Sequence, residues 1–114
     1  MPWKDIRKQR AAIRRHYYAN RQAYIDKAAK RKREVRKWVN DIKESAPCLD
    51  CKKSYPYYVM DFDHIGKKEV SINRLMEDCS YKKLEIEIAK CEIVCSNCHR
   101  ERTYKRIVQG SSIL

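Results

Sequence analysis

The sequence lacks long apolar segments and is poor in glycine and proline. Of its 114 residues, two are glycine and three are proline. No apolar run approaches the roughly 20 residues that a helix needs to cross a bilayer. The opening residues, Met1–Arg7, contain no apolar h-region, so no secretory signal is visible. These absences argue against a membrane protein and an exported enzyme, and they predict a soluble, cytoplasmic protein without a membrane partner.

Acidic residues are also scarce relative to basic ones. The chain has 27 Lys and Arg against 15 Asp and Glu, a net charge of +12. Residues 1–46 carry a net charge of +10, whereas residues 47–114 carry +2 and all six cysteines. Such an excess of basic charge usually indicates a polyanionic partner. We therefore predict a basic extension at 1–46, a cysteine-containing domain at 47–109 and a tail at 110–114.

The basic extension has the composition of a helix. It contains no glycine, and its only proline is Pro2, while Ala, Arg, Lys and Gln are frequent. Val35, Trp38, Val39 and Ile42 recur at spacings of three and four, as on an amphipathic helix. We predict one or two helices over about residues 4–44.

Two features of the extension suggest roles for its side chains. A basic run is either a solvated helix face or a set of phosphate contacts, and the charge imbalance favours phosphate contacts for Arg31, Lys32 and Arg33. The tyrosines of the extension are interpreted as packing residues in preference to base-stacking ones: Tyr17, Tyr18 and Tyr24.

Four of the cysteines form two C-x-x-C pairs. Cys48 and Cys51 are separated by 43 residues from the second pair, Cys95 and Cys98. A domain of this size is marginal on its hydrophobic core alone, and a reducing compartment disfavours disulfides. The pairs therefore predict a tetrahedral, coordinatively closed and hence structural zinc site, against the alternatives of a redox motif or coincidence. The other two cysteines are expected to be core or near-core thiols: Cys79 and Cys91.

A second set of residues has the chemistry of a hydrolytic centre. The first half of Tyr57–Gly66 is typical of a strand, Cys91–Val94 of a second strand, and 97–108 of a helix. This order can bring Asp63, His64 and His99 together. A neutral imidazole can deprotonate water near pH 7, and a carboxylate with a second imidazole suits a divalent ion. Adjacent strand residues face opposite sides, so Asp63 and His64 require a turn or bulge, for which Gly66 is suited.

The segment between the strands, residues 65–90, contains two stretches that each begin with a serine, and we predict the second stretch, 80–90, as a helix. Ser71 and Ser80 are possible N-capping residues, and Leu84 and Ile88 define an apolar face on the second helix. Basic residues that follow His64 and His99 are candidates for DNA contact: Lys67, Lys68, Arg100, Arg102, Lys105 and Arg106.

Together these motifs resemble the HNH endonucleases, in particular small phage-type members with a basic helical N-terminus. The resemblance covers about residues 47–106 and is carried by Cys48-x-x-Cys51, by Met60–His64 with the lysines after it, and by Ala89–Arg100. It implies an α+β fold, the small ββα-metal finger with a structural Cys₄ zinc, preceded here by the long basic extension.

The resemblance also implies an activity. His64 would be the general base, and Asp63 and His99 would bind a catalytic Mg²⁺, Mn²⁺ or Ni²⁺. The expected reaction is hydrolysis of double-stranded DNA to a 5′-phosphate and a 3′-hydroxyl. Phage packaging or other DNA-processing proteins would be partners, in the cytoplasm of a bacterial host. One position departs from the family: Lys90 replaces the middle asparagine that braces the loop orienting the base, and Asn73 and Asn97 are both candidates to substitute for it.

The leading functional hypothesis is thus a metal-dependent DNA endonuclease of low or modest sequence specificity. Its main alternative is a non-catalytic, zinc-dependent nucleic-acid-binding protein, which charge and zinc would fit equally well. A third hypothesis is a small interaction protein whose basic helix binds an acidic protein.

Overall fold

The computed structural model describes the backbone of residues 2–110 and the side chains of residues 5–110, so the predicted tail lies outside the described residues apart from Gly110. The fold is α+β, as predicted. Within the described range, no helix is long and apolar enough to cross a membrane. The elements follow in the order α1 (Pro2–Ala19), α2 (Arg21–Lys43), a 3₁₀ helix (Tyr57–Val59), β1 (Met60–His64), α3 (Ile72–Glu77), α4 (Tyr81–Ile88), β2 (Cys91–Cys95) and α5 (Ser96–Gln109).

The chain divides into two compact units, one up to Arg33 and the other from Glu34 onward. The first unit contains α1 and the beginning of α2, and Asn20 joins the two helices. The backbone N–H of Asn20 donates to His16 O (3.0 Å), and that of Tyr24 donates to Asn20 O (3.1 Å), so hydrogen bonding continues across the junction. The prediction of one or two helices is met by two.

The tyrosines of the first unit contact one another at its surface. The rings of Tyr17 and Tyr24 are 5.4 Å apart, and those of Tyr17 and Tyr18 are 5.5 Å apart. All three side chains are exposed. Their packing is therefore mutual, and they do not contribute to a buried core.

The core of the second unit begins in α2. Val35 and Val39 are fully buried and pack with Ile72 and Leu75 of α3 and Leu84 of α4. The amphipathic repeat in the sequence thus identified a core-facing surface. The division between units falls earlier than the boundary predicted after residue 46, because the end of α2 supplies part of this core.

The two strands form an antiparallel sheet whose register runs from Met60 opposite Cys95 to His64 opposite Cys91. Strand β1 starts at Met60, later than the aromatic residues from Tyr57 onward predicted. The reason is that Pro56 begins a 3₁₀ turn, in which Val59 N donates to Pro56 O (3.0 Å). The five pairs are consecutive, so β1 contains no bulge up to His64, and the side chains of Asp63 and His64 lie on opposite faces of the strand.

The segment between the strands folds as two short helices, of which the second, α4, was predicted. Ser71 caps α3, since its Oγ accepts from Arg74 N (3.2 Å). Ser80 precedes α4, but its side chain makes no capping hydrogen bond. Gly66, two residues after the end of β1, has φ +96°, a conformation in which a side chain would be strained.

Candidate metal centre and catalytic pocket

Four cysteine sulfurs converge in the second unit. Those of Cys48, Cys51, Cys95 and Cys98 all lie within 4.8 Å of one another, a group that could hold a metal ion. The Sγ atoms of Cys51 and Cys95 are 3.9 Å apart. Tetrahedral Zn–S bonds of about 2.3 Å place ligand sulfurs about 3.8 Å apart, so the spacing and the donor type both suit zinc.

Local backbone geometry brings these thiols together. Cys95 ends β2 and caps α5, its Sγ accepting from Cys98 N (3.4 Å), while Cys95 N donates to Cys48 Sγ (3.3 Å). Burial opposes ionisation of Cys48, but backbone N–H donors outweigh it and lower its pKa to about 6. Hydrogen bonding with Cys95, followed by burial, raises the pKa of Cys98 to about 12. The lowered pKa suits Cys48 to bind a cation as a thiolate, the form in which cysteine ligates zinc.

The other two cysteines lie outside this group. Cys79 packs against the core formed by α2, α3 and α4. Burial raises the pKa of Cys91 to about 11, and its thiol donates to Glu87 O (3.3 Å). Both positions match the expectation of core or near-core thiols.

Asp63 points from β1 towards α5, where two arginines hold it. Arg106 donates to both carboxylate oxygens (2.9 and 2.7 Å), and Arg102 donates to Oδ2 (2.9 Å). Asp63 is 3% exposed, and these partners, Arg106 foremost, lower its pKa to about 2. His99 Nε2 lies 3.5 Å from Asp63 Oδ1. The structure therefore brings together the two residues predicted to bind a divalent ion, with Asp63 engaged by guanidinium groups.

A second carboxylate lies beside His99. Asp61, two residues before Asp63 on the same face of β1, places Oδ2 3.0 Å from His99 Nδ1. The side chains of Asp61 and His99 are partly exposed, in contrast to Asp63. The imidazole of His99 thus lies between two carboxylates, one accessible to solvent and one buried.

His64 points from the opposite face of β1 towards α4. Its Nε2 lies 3.2 Å from Oε2 of Glu87, a residue that is 4% exposed. Lys90 Nζ donates to the other oxygen of that carboxylate (2.9 Å). Lys90, which stands where the resembled family has asparagine, is thus connected to His64 through Glu87.

His64 and His99 nevertheless face one pocket of about 350 Å³. The lining includes side chains from both faces of β1, and within residues 2–110 β1 pairs with β2 alone. The pocket therefore runs along the unpaired edge of β1. Its lining residues are Lys43, Asp61, Phe62, His64, Lys68, Ser71, Ile72, Asn73, Met76 and His99. Asn97, the other candidate for the missing asparagine, lines a different depression on α5.

The predicted DNA-contacting residues differ in their surroundings. Lys68 lines the pocket. Arg102 is directed inward: its guanidinium binds Asp50, Asp63 and Glu92, which favours a structural role over the predicted DNA contact. Arg106 is held by Asp63 although its own side chain is half exposed. The others are exposed, Arg31, Lys32 and Arg33 in the first unit and Lys67, Arg100 and Lys105 in the second.

Sequence analysis assigned no role to three residues at or beside this pocket. Asp61 lies within the motif Met60–His64 and Lys43 within the basic extension, where neither pattern indicates a separate role. Glu87 was missed, although it lies three residues after Leu84 and one before Ile88, on the apolar face of α4. A carboxylate in such a position is the signal that could have indicated a buried ionic contact.

In comparisons with known proteins, no protein-family model matches the chain, and no curated protein or solved structure matches it.

Proposed function

We propose that this protein is a metal-dependent DNA endonuclease of the HNH type, with β1, β2 and α5 forming the ββα-metal finger. The observation that carries the proposal is the pocket at the free edge of β1, which His64 and His99 line together. One imidazole is paired with a buried carboxylate and the other lies between two carboxylates. This division suits one imidazole to proton transfer and the other to cation binding.

The charge around the pocket supports an anionic substrate. Lys43 and Lys68 both line it, and the whole chain carries a net charge of +12. Ammonium groups beside a cleft attract a phosphodiester and offset the charge that it brings. Duplex DNA is therefore the proposed substrate, and contacts through the backbone phosphates imply low or modest sequence specificity.

The catalytic cation would be held by His99 with Asp63, and Asp61 is close enough to take part. The distance of 3.5 Å between Asp63 Oδ1 and His99 Nε2 is compatible with two ligands of one ion. The mixed oxygen and nitrogen donor set suits Mg²⁺, Mn²⁺ or Ni²⁺. When bound, a divalent ion supplies positive charge that stabilises the negative charge developing on the phosphate and the leaving oxygen.

The proposed role of His64 is that of general base. It takes a proton from the attacking water while the water oxygen forms the new bond to phosphorus. The bond from phosphorus to the 3′-oxygen breaks, and that oxygen acquires a proton from solvent. The products are a 5′-phosphate and a 3′-hydroxyl, so no redox partner is needed.

Zinc bound by the four cysteines would have a structural role. A Cys₄ site leaves no open coordination position for substrate. It would join the loop at Cys48 and Cys51 to the end of β2 and the beginning of α5, and α5 carries His99. Zinc therefore contributes to the position of one catalytic side chain without taking part in the reaction.

One observation favours a second function, a zinc-dependent nucleic-acid-binding protein without catalysis. Both carboxylate oxygens of Asp63 accept hydrogen bonds from Arg102 and Arg106. For a cation to bind, at least one of these oxygens would have to lose its arginine partner. The exposed side chain of Arg106 makes its release the easier of the two. In the binding protein, Asp63 would keep its arginine partners permanently.

Cleavage of supercoiled plasmid distinguishes these functions. Wild type and His64→Ala, matched for zinc content, are incubated with Mg²⁺, Mn²⁺ or Ni²⁺, and nicked and linear products are measured. The endonuclease predicts cutting by wild type and its loss in the variant, with duplex binding retained in both. If both proteins bind duplex DNA and neither cuts it with any ion, the protein is the non-catalytic nucleic-acid-binding protein and the endonuclease proposal is wrong. Equal cutting by both would remove His64 from its role as the base.

A further inference from the structure

We propose that Glu87 is the positioning residue for the general base, fixing the imidazole of His64 so that Nδ1 is the nitrogen presented to water. This inference rests on the proposed endonuclease function.

The first support is the contact itself. Glu87 Oε2 lies 3.2 Å from His64 Nε2, and the two side chains are 5% and 13% exposed. Few solvent contacts remain to compete with this hydrogen bond. With Nε2 engaged by Glu87, Nδ1 is the ring nitrogen left for water in the pocket.

The second support is the charge of Glu87. Lys90 Nζ donates to Oε1 (2.9 Å), and this hydrogen bond, more than the one from His64, lowers the pKa of the Glu87 carboxyl despite its burial. An ionised carboxylate can only accept hydrogen bonds. The proton of a neutral His64 therefore resides on Nε2, and the lone pair of Nδ1 is free to accept a proton from water.

The third support is the backbone around the pair. Ile65 N donates to Lys90 O (2.9 Å), extending the pairing of β1 with β2 past His64. The thiol of Cys91 donates to Glu87 O (3.3 Å), which ties the end of α4 to the start of β2. The carboxylate and the imidazole are thus mounted on segments that are bonded to each other, and the geometry is set before substrate binds.

A purely structural role for Glu87 makes a different prediction. If the residue only satisfied the charge of Lys90, its replacement would alter stability and leave the turnover of folded protein unchanged. A positioning residue acts on the rate of proton transfer, so its replacement lowers kcat at unchanged KM.

Kinetics of Glu87→Gln provide the first test, with Glu85→Gln as the matched control on the exposed side of the same helix. The glutamine keeps the shape of Glu87 but can present either a donor or an acceptor to Nε2, so the orientation of His64 is no longer enforced. We expect kcat for plasmid cleavage to fall by on the order of 10- to 100-fold, with KM and zinc content unchanged. Glu85→Gln should behave as wild type. Unchanged kcat in a folded, zinc-loaded Glu87→Gln protein would overturn the proposal.

Nuclear magnetic resonance of the wild-type imidazoles provides a test that needs no variant to fold and no activity. The neutral ring of His64 should carry its proton on Nε2, and that proton should exchange with water more slowly than the ring proton of exposed His16. A proton on Nδ1, or exchange as fast as in His16, would refute the positioning role. If neither wild type nor the variants cut DNA but the Nε2 proton exchanges slowly with water, the endonuclease proposal fails while the contact between Glu87 and His64 stands.

Discussion

The guanidinium of Arg102 shows how one side chain can connect separate parts of a small domain. It binds Asp50 between the two cysteines of the first pair, Asp63 in β1 and Glu92 in β2, at donor–acceptor distances from 2.6 to 2.9 Å. The planar group can serve several carboxylates because its donors point in different directions. Arg100, two residues earlier, is exposed. Two arginines of one helix therefore have different surroundings.

Arg102→Ala should reduce the free energy of unfolding by about 1–3 kcal/mol, because it leaves Asp50 and Glu92 without this partner and removes one from Asp63. Affinity for duplex DNA should be almost unchanged in the folded variant. Denaturant unfolding and a DNA titration at constant salt measure the two effects.

Arg100→Ala is the matched control, for which we expect the reverse: near-normal stability and weaker DNA binding. A stable Arg102→Ala protein with reduced DNA affinity would instead restore Arg102 as a phosphate contact.

At the scale of secondary structure, the cysteine pairs determine how the sheet and α5 meet. Cys48, Met60, Val94 and Cys95 form a buried cluster against which Cys51 and Cys98 pack. This cluster is small, and two of its four buried members are thiols. Removal of a metal would leave several sulfurs close together without the bond that compensates their desolvation.

Cys48→Ser should therefore lose bound zinc, and the second unit should lose fixed tertiary structure, since structural zinc in comparable small peptides contributes roughly 10–16 kcal/mol. Zinc content and the dispersion of methyl resonances from Val94 and Leu84 measure the outcome. Cys79→Ser is the control, because Cys79 lies outside the sulfur group. Equal zinc content in the two variants would contradict the Cys₄ site.

At the scale of the whole molecule, the dominant feature is the basic charge. Residues 1–46 carry a net charge of +10 out of +12. Cations that contact phosphates release counterions on binding, which makes affinity depend steeply on salt. If the basic extension instead bound an acidic protein, titration with duplex DNA would show no such dependence of affinity on salt.

Replacing Arg31, Lys32 and Arg33 with Gln should reduce the slope of log affinity against log salt concentration by up to about 3, since each phosphate contact contributes about 0.9. A series of duplex titrations at different salt concentrations measures the slope. Lys82→Gln with Lys83→Gln, on the exposed surface of α4, is the control and should leave it unchanged. An unaltered slope in the first variant would exclude phosphate contact by the basic run.

Sequence alone was sufficient for the features that depend on local pattern. The helices of the extension follow from the near absence of glycine and proline, and the core-facing Val35 and Val39 follow from their helical spacing. The convergence of the cysteines is a long-range contact, but two C-x-x-C pairs indicated it because each pair supplies two of the four ligands that a tetrahedral zinc site requires. The helix predictions, in contrast, needed no knowledge of which distant residues meet.

The partners of the ionisable groups, in contrast, depend on long-range packing. The sequence placed Asp63 and His64 side by side, but a regular β1 directs one towards the arginines of α5 and the other towards Glu87 of α4. His99 was predicted beside Asp63, whereas its contact with Asp61 was not. Such pairings join residues far apart in the chain and depend on register, helix rotation and burial, because a charge inside a protein takes whichever partner the packing brings within reach.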